Sequence, residues 1–136
     1  MAGFHHVELW VSDLEESQAE WGWLLTRLGF SLHSEWSGGQ SWSAGGAYLT
    51  LTTPPTLANP VHDRRRVGLN HLAFKAGEQK VVDAIMADAP GHGWRPLYPE
   101  VTTAFRAEIR AHQVKGAQVF RKCRQKALLH DIPDTT

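Results

Sequence analysis

The segment from Phe4 to Ser17 constrains the fold more than any other part of this chain, because it joins a strand pattern directly to a helix start. Its apolar residues alternate with polar or aromatic ones, as on a strand with one buried face. One face carries Val7, Leu9 and Val11, and the other carries His6, Glu8 and Trp10. Ser12 and Glu15 have the spacing of a capping box, in which each side chain satisfies a backbone N–H of the first helical turn. The segment therefore predicts a half-buried strand followed at once by a helix.

A second copy of this pattern begins at Asn70. It alternates in the same way and has a histidine near its start: His71, Leu72, Ala73, Phe74 and Lys75. A helical run from Glu78 to Ala89 follows, so His71 stands in the second copy where His6 stands in the first. This internal repeat of strand and helix predicts an α+β protein built from two similar modules.

Periodicity also predicts the other elements of the two modules. In the first module a helical stripe, in which Leu14, Trp21, Leu25 and Leu28 share one face, precedes three strand patterns. These strand patterns cover residues 30–36, 40–43 and 47–52. In the second module, residues 93–98 form a candidate strand that Pro96 restricts to a sheet edge. The first module is therefore predicted to be βαβββ.

We expect a single domain over residues 1–136, divided into module 1 (1–53), a linker rich in proline and arginine (54–68), module 2 (69–100) and a tail (101–136). In the tail, apolar residues from Phe105 to Ala127 step by fours and threes, which favours helix. The second module is therefore predicted to be incomplete and to end in a helical tail.

Composition limits the class of protein. A chain of 136 residues that is 42% hydrophobic and 21% charged can bury a core of its own. Its single cysteine, Cys123, cannot form an internal disulfide, which is typical of the reducing cytoplasm. No apolar run reaches the roughly 18 residues that a membrane span needs. We therefore expect a cytoplasmic protein without a membrane partner.

The tail has a basic charge that sets it apart from the rest of the chain. Residues 104–130 hold seven Lys or Arg and one acid, Glu108. Such a charge can attract nucleic acid, but replacement of the last strands by a shifted reading frame or a gene fusion accounts for the tail without that partner. The missing strands would leave an open sheet edge, and a second copy of the chain would cover it. We therefore predict a homodimer and no nucleic-acid partner.

The motif His-Val-x-Leu-x-Val-x-Asp, which begins at His6, resembles the opening of the vicinal oxygen chelate superfamily of glyoxalases, bleomycin-resistance proteins and extradiol dioxygenases. Residues 69–74 resemble the start of its second module, and the resemblance extends over about residues 3–100. It implies paired βαβββ modules that form a curved open sheet. The turn and the final glutamate that this family has in its last strands do not occur in residues 101–136.

The resemblance also implies a metal site, with His6 and His71 as ligands. Neutral imidazoles on strands suit iron, manganese, nickel or zinc, and open coordination positions let adjacent substrate oxygens bind the ion. The chain would then be a metal-dependent lyase, isomerase or dioxygenase acting on a small oxygenated molecule. The residues expected to contact that substrate share one strand face or lie beside it: Glu8, Trp10, Tyr48 and Thr50.

Three alternatives stay open from the sequence. The last strand of module 1 lacks the acid that glyoxalase I has there. Glu8, Glu100, Glu108 or water is then left to complete the metal shell. The chain could instead be a metal-free, drug-sequestering binding protein, since its six tryptophans suit stacking on a planar ligand. It could also be an inactive relic with an altered ending. His5, by alternation, is expected on the helix-packed face of the strand.

Overall fold

The structure, a computed structural model, describes residues 2–63, 65–96, 118–122 and 125–131. These residues fall into two compact units, Met1–Val61 and His62–Thr136. Within the described residues, each unit contains one four-stranded sheet and one α-helix. This confirms the predicted α+β class with paired modules, while the predicted single domain and its internal boundaries stay predictions.

The first unit has the predicted βαβββ order. Its elements are β1 (His6–Trp10), α1 (Leu14–Arg27), β2 (Ser31–Trp36), β3 (Gly39–Ala44) and β4 (Ala47–Thr52). The strands lie in the order β1-β4-β3-β2; β1 and β4 are parallel, and the other pairs are antiparallel. The first strand therefore lies beside the last strand of its module, and the helix connects two edges of the sheet.

The ends of α1 follow from specific residues. The Asp13 side chain accepts a hydrogen bond from the backbone N–H of Glu16 at 2.9 Å, so Asp13 is the N-cap and the predicted capping box at Ser12 lies one residue too early. At the other end Gly29 has φ 83°, a left-handed conformation that favours glycine. The next N–H, that of Phe30, bonds the Leu25 carbonyl at 2.8 Å, which closes the helix.

Replacing Asp13 with alanine is expected to lower the free energy of unfolding by about 1 kcal/mol, because a first-turn N–H loses its acceptor. Urea unfolding followed by circular dichroism measures this change. Ser12→Ala is the matched control: Ser12 is exposed, so its replacement is expected to have little effect. Equal losses in the two variants would show that the helix begins one residue earlier than described.

The core of the first unit lies between α1 and one face of its sheet. The helix buries Trp21, Leu24 and Leu25 completely, and the sheet buries Leu49 and Leu51 on the facing side. Each of these large apolar side chains contributes about 1.5–3 kcal/mol when it leaves water. Because strand residues alternate, the residues between the buried leucines point to the opposite face, which we call the polar face.

The second unit repeats this topology. Its elements are β5 (Leu72–Gly77), α2 (Gln79–Asp88), a short 3-10 helix (Ala89–His92), β6 (Trp94–Pro96), β7 (Gln118–Lys122) and β8 (Gln125–Asp131). The strand order β5-β8-β7-β6 matches that of the first unit, and β5 is parallel to β8. Helix α2 buries Val82 and Ile85 completely. Neither α-helix in the described ranges is long and apolar enough to cross a membrane.

Two predictions about the second module are wrong. Its tail was predicted to be helical, but residues 118–122 and 125–131 are strands, and residues 97–117, 123–124 and 132–136 lie outside the described ranges. The second module was predicted to be incomplete, but its sheet has four strands. The prediction of helix rested on apolar residues that step by fours and threes, whereas pairing of β8 with β5 and β7 decides the outcome. The missing strands invoked for a homodimer are therefore present, and the homodimer stays a prediction.

Candidate functional site

The polar face of the first sheet consists of three rows, with one residue from each strand in each row. The strand register defines them. The first row is His6, Tyr48, Ser43 and Ser31; the second is Glu8, Thr50, Ser41 and Ser34; the third is Trp10, Thr52, Gly39 and Trp36. His6, Glu8, Trp10, Tyr48 and Thr50, the residues of this unit that the sequence singled out, therefore all lie on one face.

Imidazole rings pack against the Tyr48 side chain of the first row. His5 Nδ1 lies 2.9 Å from His6 Nδ1, and the His5 ring packs against the Tyr48 ring with 5.4 Å between centroids. The prediction that His5 faces the helix is wrong, because β1 begins at His6 and strand alternation does not apply before it. The His5 carbonyl accepts the Tyr48 N–H at 2.9 Å, which ties this residue to β4.

Sequence reasoning missed His33, which also lies against the first row. Its ring makes an edge contact with Tyr48 at 4.9 Å between centroids. The β2–β3 register shifts between Leu32 and Ser34, which inserts His33 as the extra residue of a β-bulge. Bulges redirect side chains and are common beside functional sites. Nothing in the local sequence marks this bulge, so the strand pattern alone could not reveal the residue.

The two histidines proposed as ligands have similar local geometry in their own units. His71 lies immediately before β5, is exposed, and has its Nδ1 3.0 Å from Asn70 Oδ1. An amide oxygen can only accept, so the neutral His71 ring carries its proton on Nδ1 and a lone pair on Nε2. His6 reaches the same tautomer when its Nδ1–H donates to His5 Nδ1. Such a hydrogen bond at the second ring nitrogen is characteristic of metal-ligating histidines.

The second and third rows hold polar groups in fixed directions. The Trp10 Nε1–H donates to Glu8 Oε1 at 3.1 Å, and the Ser41 and Thr50 hydroxyls lie 3.1 Å apart. In the third row, Trp10 is 51% exposed and Trp36 is 44% exposed. The face therefore offers a carboxylate, hydroxyls and two indole rings to a molecule that lies on it.

A complete metal shell does not occur within the described residues, where no group of three His, Cys, Asp or Glu is close enough to hold an ion. Glu8 accepts a hydrogen bond from Trp10, while Glu100 and Glu108 lie outside the described ranges. His6 and His71 belong to different units, so their assignment to one ion stays a prediction.

In the arginine run of the linker, the Arg65 side chain is paired with a carboxylate of the linker itself. Arg65 binds Asp63 at 2.8 Å through its guanidinium, and this hydrogen bond, with the Arg65 charge, holds the pKa of the Asp63 carboxyl well below its usual range. Arg64 lies outside the described residues. The ion pair is exposed, so we expect it to contribute little to stability.

A comparison with protein families gives one extended match. Residues 5–113 match the model of the glyoxalase/bleomycin resistance protein/dioxygenase superfamily. The chain is also 43% identical to the protein YqjT of Bacillus subtilis over 95 residues, which are 69% of this chain and 74% of YqjT. The match begins at His5, beside the first row.

Solved structures give the same result for the fold. A proposed glyoxalase from Bacillus halodurans is 34% identical, with a TM-score of 0.77 and 95% of each chain covered. The fosfomycin resistance protein FosX of Listeria monocytogenes, in a complex with Mn(II) and 1S,2S-dihydroxypropylphosphonic acid, is 18% identical, with a TM-score of 0.60, 96% of this chain covered and 90% of that chain. The likeness to FosX concerns the fold alone.

Proposed function

Because the chain belongs to the glyoxalase/bleomycin resistance protein/dioxygenase superfamily, we propose that it binds a divalent metal ion through His6 and His71 and acts on a small molecule with adjacent oxygens. One observation carries this proposal. At the start of the first strand of each module stands an exposed histidine whose Nδ1 lies 2.9 or 3.0 Å from a polar atom of the preceding residue. At His71 this leaves Nε2 as the nitrogen with the lone pair, and the same holds for His6 when its Nδ1–H is the donor.

A divalent ion held there would supply positive charge that polarises adjacent substrate oxygens and stabilises negative charge as it develops on them. Other residues of the polar face would orient the bound molecule and exchange hydrogen bonds or a proton with it. Trp10 fixes the direction of the Glu8 carboxylate, which can accept a proton or a hydrogen bond from a bound molecule. One of the linked hydroxyls of Ser41 and Thr50 donates to the other, which leaves one O–H to donate to an oxygen of that molecule.

The choice of substrate class has independent support from a protein of the same fold. FosX was solved with Mn(II) and a dihydroxypropylphosphonic acid, a compound with hydroxyls on adjacent carbons. We carry over to this chain only the general chemistry, which is a divalent ion and a pair of vicinal oxygens. Isomerisation, elimination and oxygenation can all proceed from such a complex. We propose the cytoplasm as the compartment of this protein.

Titration of untagged, chelator-treated protein with Mn(II), Fe(II), Ni(II) or Zn(II) tests the proposal. Calorimetry is expected to give one ion per chain. Catechol, whose hydroxyls are adjacent, should then bind the metal-loaded protein at least about tenfold more tightly than resorcinol, whose hydroxyls are not, because only adjacent oxygens chelate one ion. The metal-depleted protein should not distinguish the two. Failure to bind any ion, or equal affinities with metal present, would contradict the proposal.

A metal-free binding protein is the second candidate. The half-exposed Trp10 and Trp36 favour it, because exposed aromatic side chains on one face suit a planar ligand. In that case the chain would bind aromatic compounds equally well with and without metal, and resorcinol would bind as tightly as catechol.

A further inference from the structure

We propose that the third row of the polar face binds a flat aromatic ring of the substrate, between the indoles of Trp10 and Trp36. This inference rests on the proposed function, because it names the class of molecule whose adjacent oxygens would reach the metal. It adds Trp36, which lies at the far edge strand of the sheet, to the substrate-contacting residues.

The first argument is placement. Trp10 on edge strand β1 and Trp36 on edge strand β2 belong to the same row and the same face, and only Thr52 and Gly39 lie between them in the sheet. Both indoles remain about half exposed. Aromatic surface left exposed on one side of a sheet is typical of a binding site rather than of a core.

The second argument is that both rings are held in position. Trp10 donates its Nε1–H to Glu8 Oε1, which turns its indole along β1 in the direction of the first row. Trp36 lies across Gly39, where a Cβ atom would come within 2.7 Å of its Cζ2. Because Gly39 has no side chain, the indole can lie over the sheet. Rings fixed before binding lose little conformational entropy when a ligand stacks on them.

The third argument concerns the floor between the rings. Thr52 is small and the Trp36 indole covers Gly39, so the row is lowest over Thr52, and a ring can enter there between Trp10 and the Trp36 indole.

Spacing relates this row to the proposed metal ligand. Trp10 lies four residues after His6 on β1, about 13 Å between Cα atoms at 3.3 Å per residue. A substrate that spans both places has its adjacent oxygens at one end and its ring at the other. Two fused rings, or one ring with a short side chain, are shorter than this Cα spacing, so the His6 and Trp10 side chains must supply the remaining reach.

Two fluorescent probes separate the ring site from the metal site. 2-Naphthol has fused rings and one hydroxyl, so it reports on the third row alone. 2,3-Dihydroxynaphthalene adds the adjacent oxygens. Affinities for each are measured by fluorescence anisotropy in zinc-treated protein, with circular dichroism to confirm that every variant is folded.

Trp10→Ala and Trp36→Ala are each expected to weaken 2-naphthol binding about three- to tenfold through loss of stacking. Trp36→Phe, which keeps a ring, should retain most of the affinity. Leu32→Ala is the matched control, because Leu32 is on the same strand and 48% exposed but pairs with Trp42 on the opposite face; it should change nothing.

Three results would overturn the inference: no binding of 2-naphthol to the unaltered protein, equal binding by Trp36→Ala, or a change in oligomeric size on sedimentation when the tryptophans are replaced, which would make the row a protein contact. His6→Ala distinguishes failure of the proposed function. It should leave 2-naphthol binding unchanged and remove the extra affinity for 2,3-dihydroxynaphthalene. If His6→Ala affects neither probe while both tryptophan variants weaken both, the ring site stands and the metal proposal fails.

Discussion

Replacing His6 with alanine is expected to lower the affinity for a divalent metal ion by more than about 100-fold. Loss of a residue that merely orients a metal ligand already costs 10- to 100-fold, and loss of the ligand itself removes one coordinate bond from a site that has few protein ligands. The proposed site has two, so His71→Ala should have an effect of the same size. Calorimetric titration with Zn(II) or Mn(II) measures both.

Control variants make this result specific. His92 is an exposed histidine of the 3-10 helix that follows α2, far along the chain from either proposed ligand. Its replacement with alanine should leave the affinity unchanged. His5→Ala is expected to give an intermediate loss of about tenfold, because it removes the ring nitrogen that contacts His6 Nδ1 and orients the His6 imidazole. An equal loss in all four variants, or no loss in His6→Ala, would contradict the ligand assignment.

The same variants can be compared without a binding isotherm. A metal at 100 times its dissociation constant stabilises the folded chain by about 2.7 kcal/mol if the unfolded chain does not bind it. Zn(II) should therefore raise the midpoint temperature of thermal unfolding of the unaltered protein and of His92→Ala, but not that of His6→Ala. A shift that persists in His6→Ala would place the ion elsewhere.

The sequence predicted those parts of the site that depend on regular alternation. Leu9, Leu49 and Leu51 are buried, so the residues on either side of them had to point to the opposite face. The repeat then placed His71 in the position equivalent to His6. Residues within one uninterrupted strand can be assigned to a face in this way because the side-chain period is two.

The edge strand β2 shows why the remainder of the face could not be predicted. Leu32 and Trp36 are four positions apart, an even number, so simple alternation puts them on the same face. Leu32 nevertheless pairs with Trp42 on the helix side, and Trp36 pairs with Gly39 on the polar face. The bulge at His33 lies between them, so the residues after it point to the face opposite the one that alternation predicts. A bulge depends on pairing with the next strand rather than on local residue preferences.

The last strands could not be predicted for a related reason. β7 and β8 contain residues that favour helices, and only their pairing in the second sheet identifies them as strands. By analogy with β4, β8 lies beside the first strand of its module, where the family resemblance leads one to expect an acid. The β8 residues include no glutamate and one aspartate, Asp131, at the last position, so the third metal ligand of this chain stays a prediction.

Gly39→Ala is expected to lower the free energy of unfolding by about 2–3 kcal/mol, at the upper end of the range for overpacked sites. The added Cβ would overlap the Leu51 carbonyl oxygen, which is backbone and cannot rotate away, and would lie 2.7 Å from Trp36 Cζ2. The β3–β4 pair and the indole must both shift. Urea unfolding measures the loss, and quenching of tryptophan fluorescence by acrylamide should increase as the Trp36 ring leaves the sheet.

The adjacent glycine provides the control for this prediction. A Cβ on Gly38 would lie 3.6 Å from Trp36 Nε1 and 4.0 Å from the Thr53 carbonyl oxygen, which are ordinary contact distances. Gly38→Ala should therefore change stability by less than about 0.5 kcal/mol. Equal losses in the two variants would mean that the hairpin turn, rather than the cover that Trp36 forms over Gly39, requires the glycines. A loss confined to Gly39→Ala, together with weaker 2-naphthol binding, would tie the position of Trp36 to both the stability of the sheet and the proposed ring site.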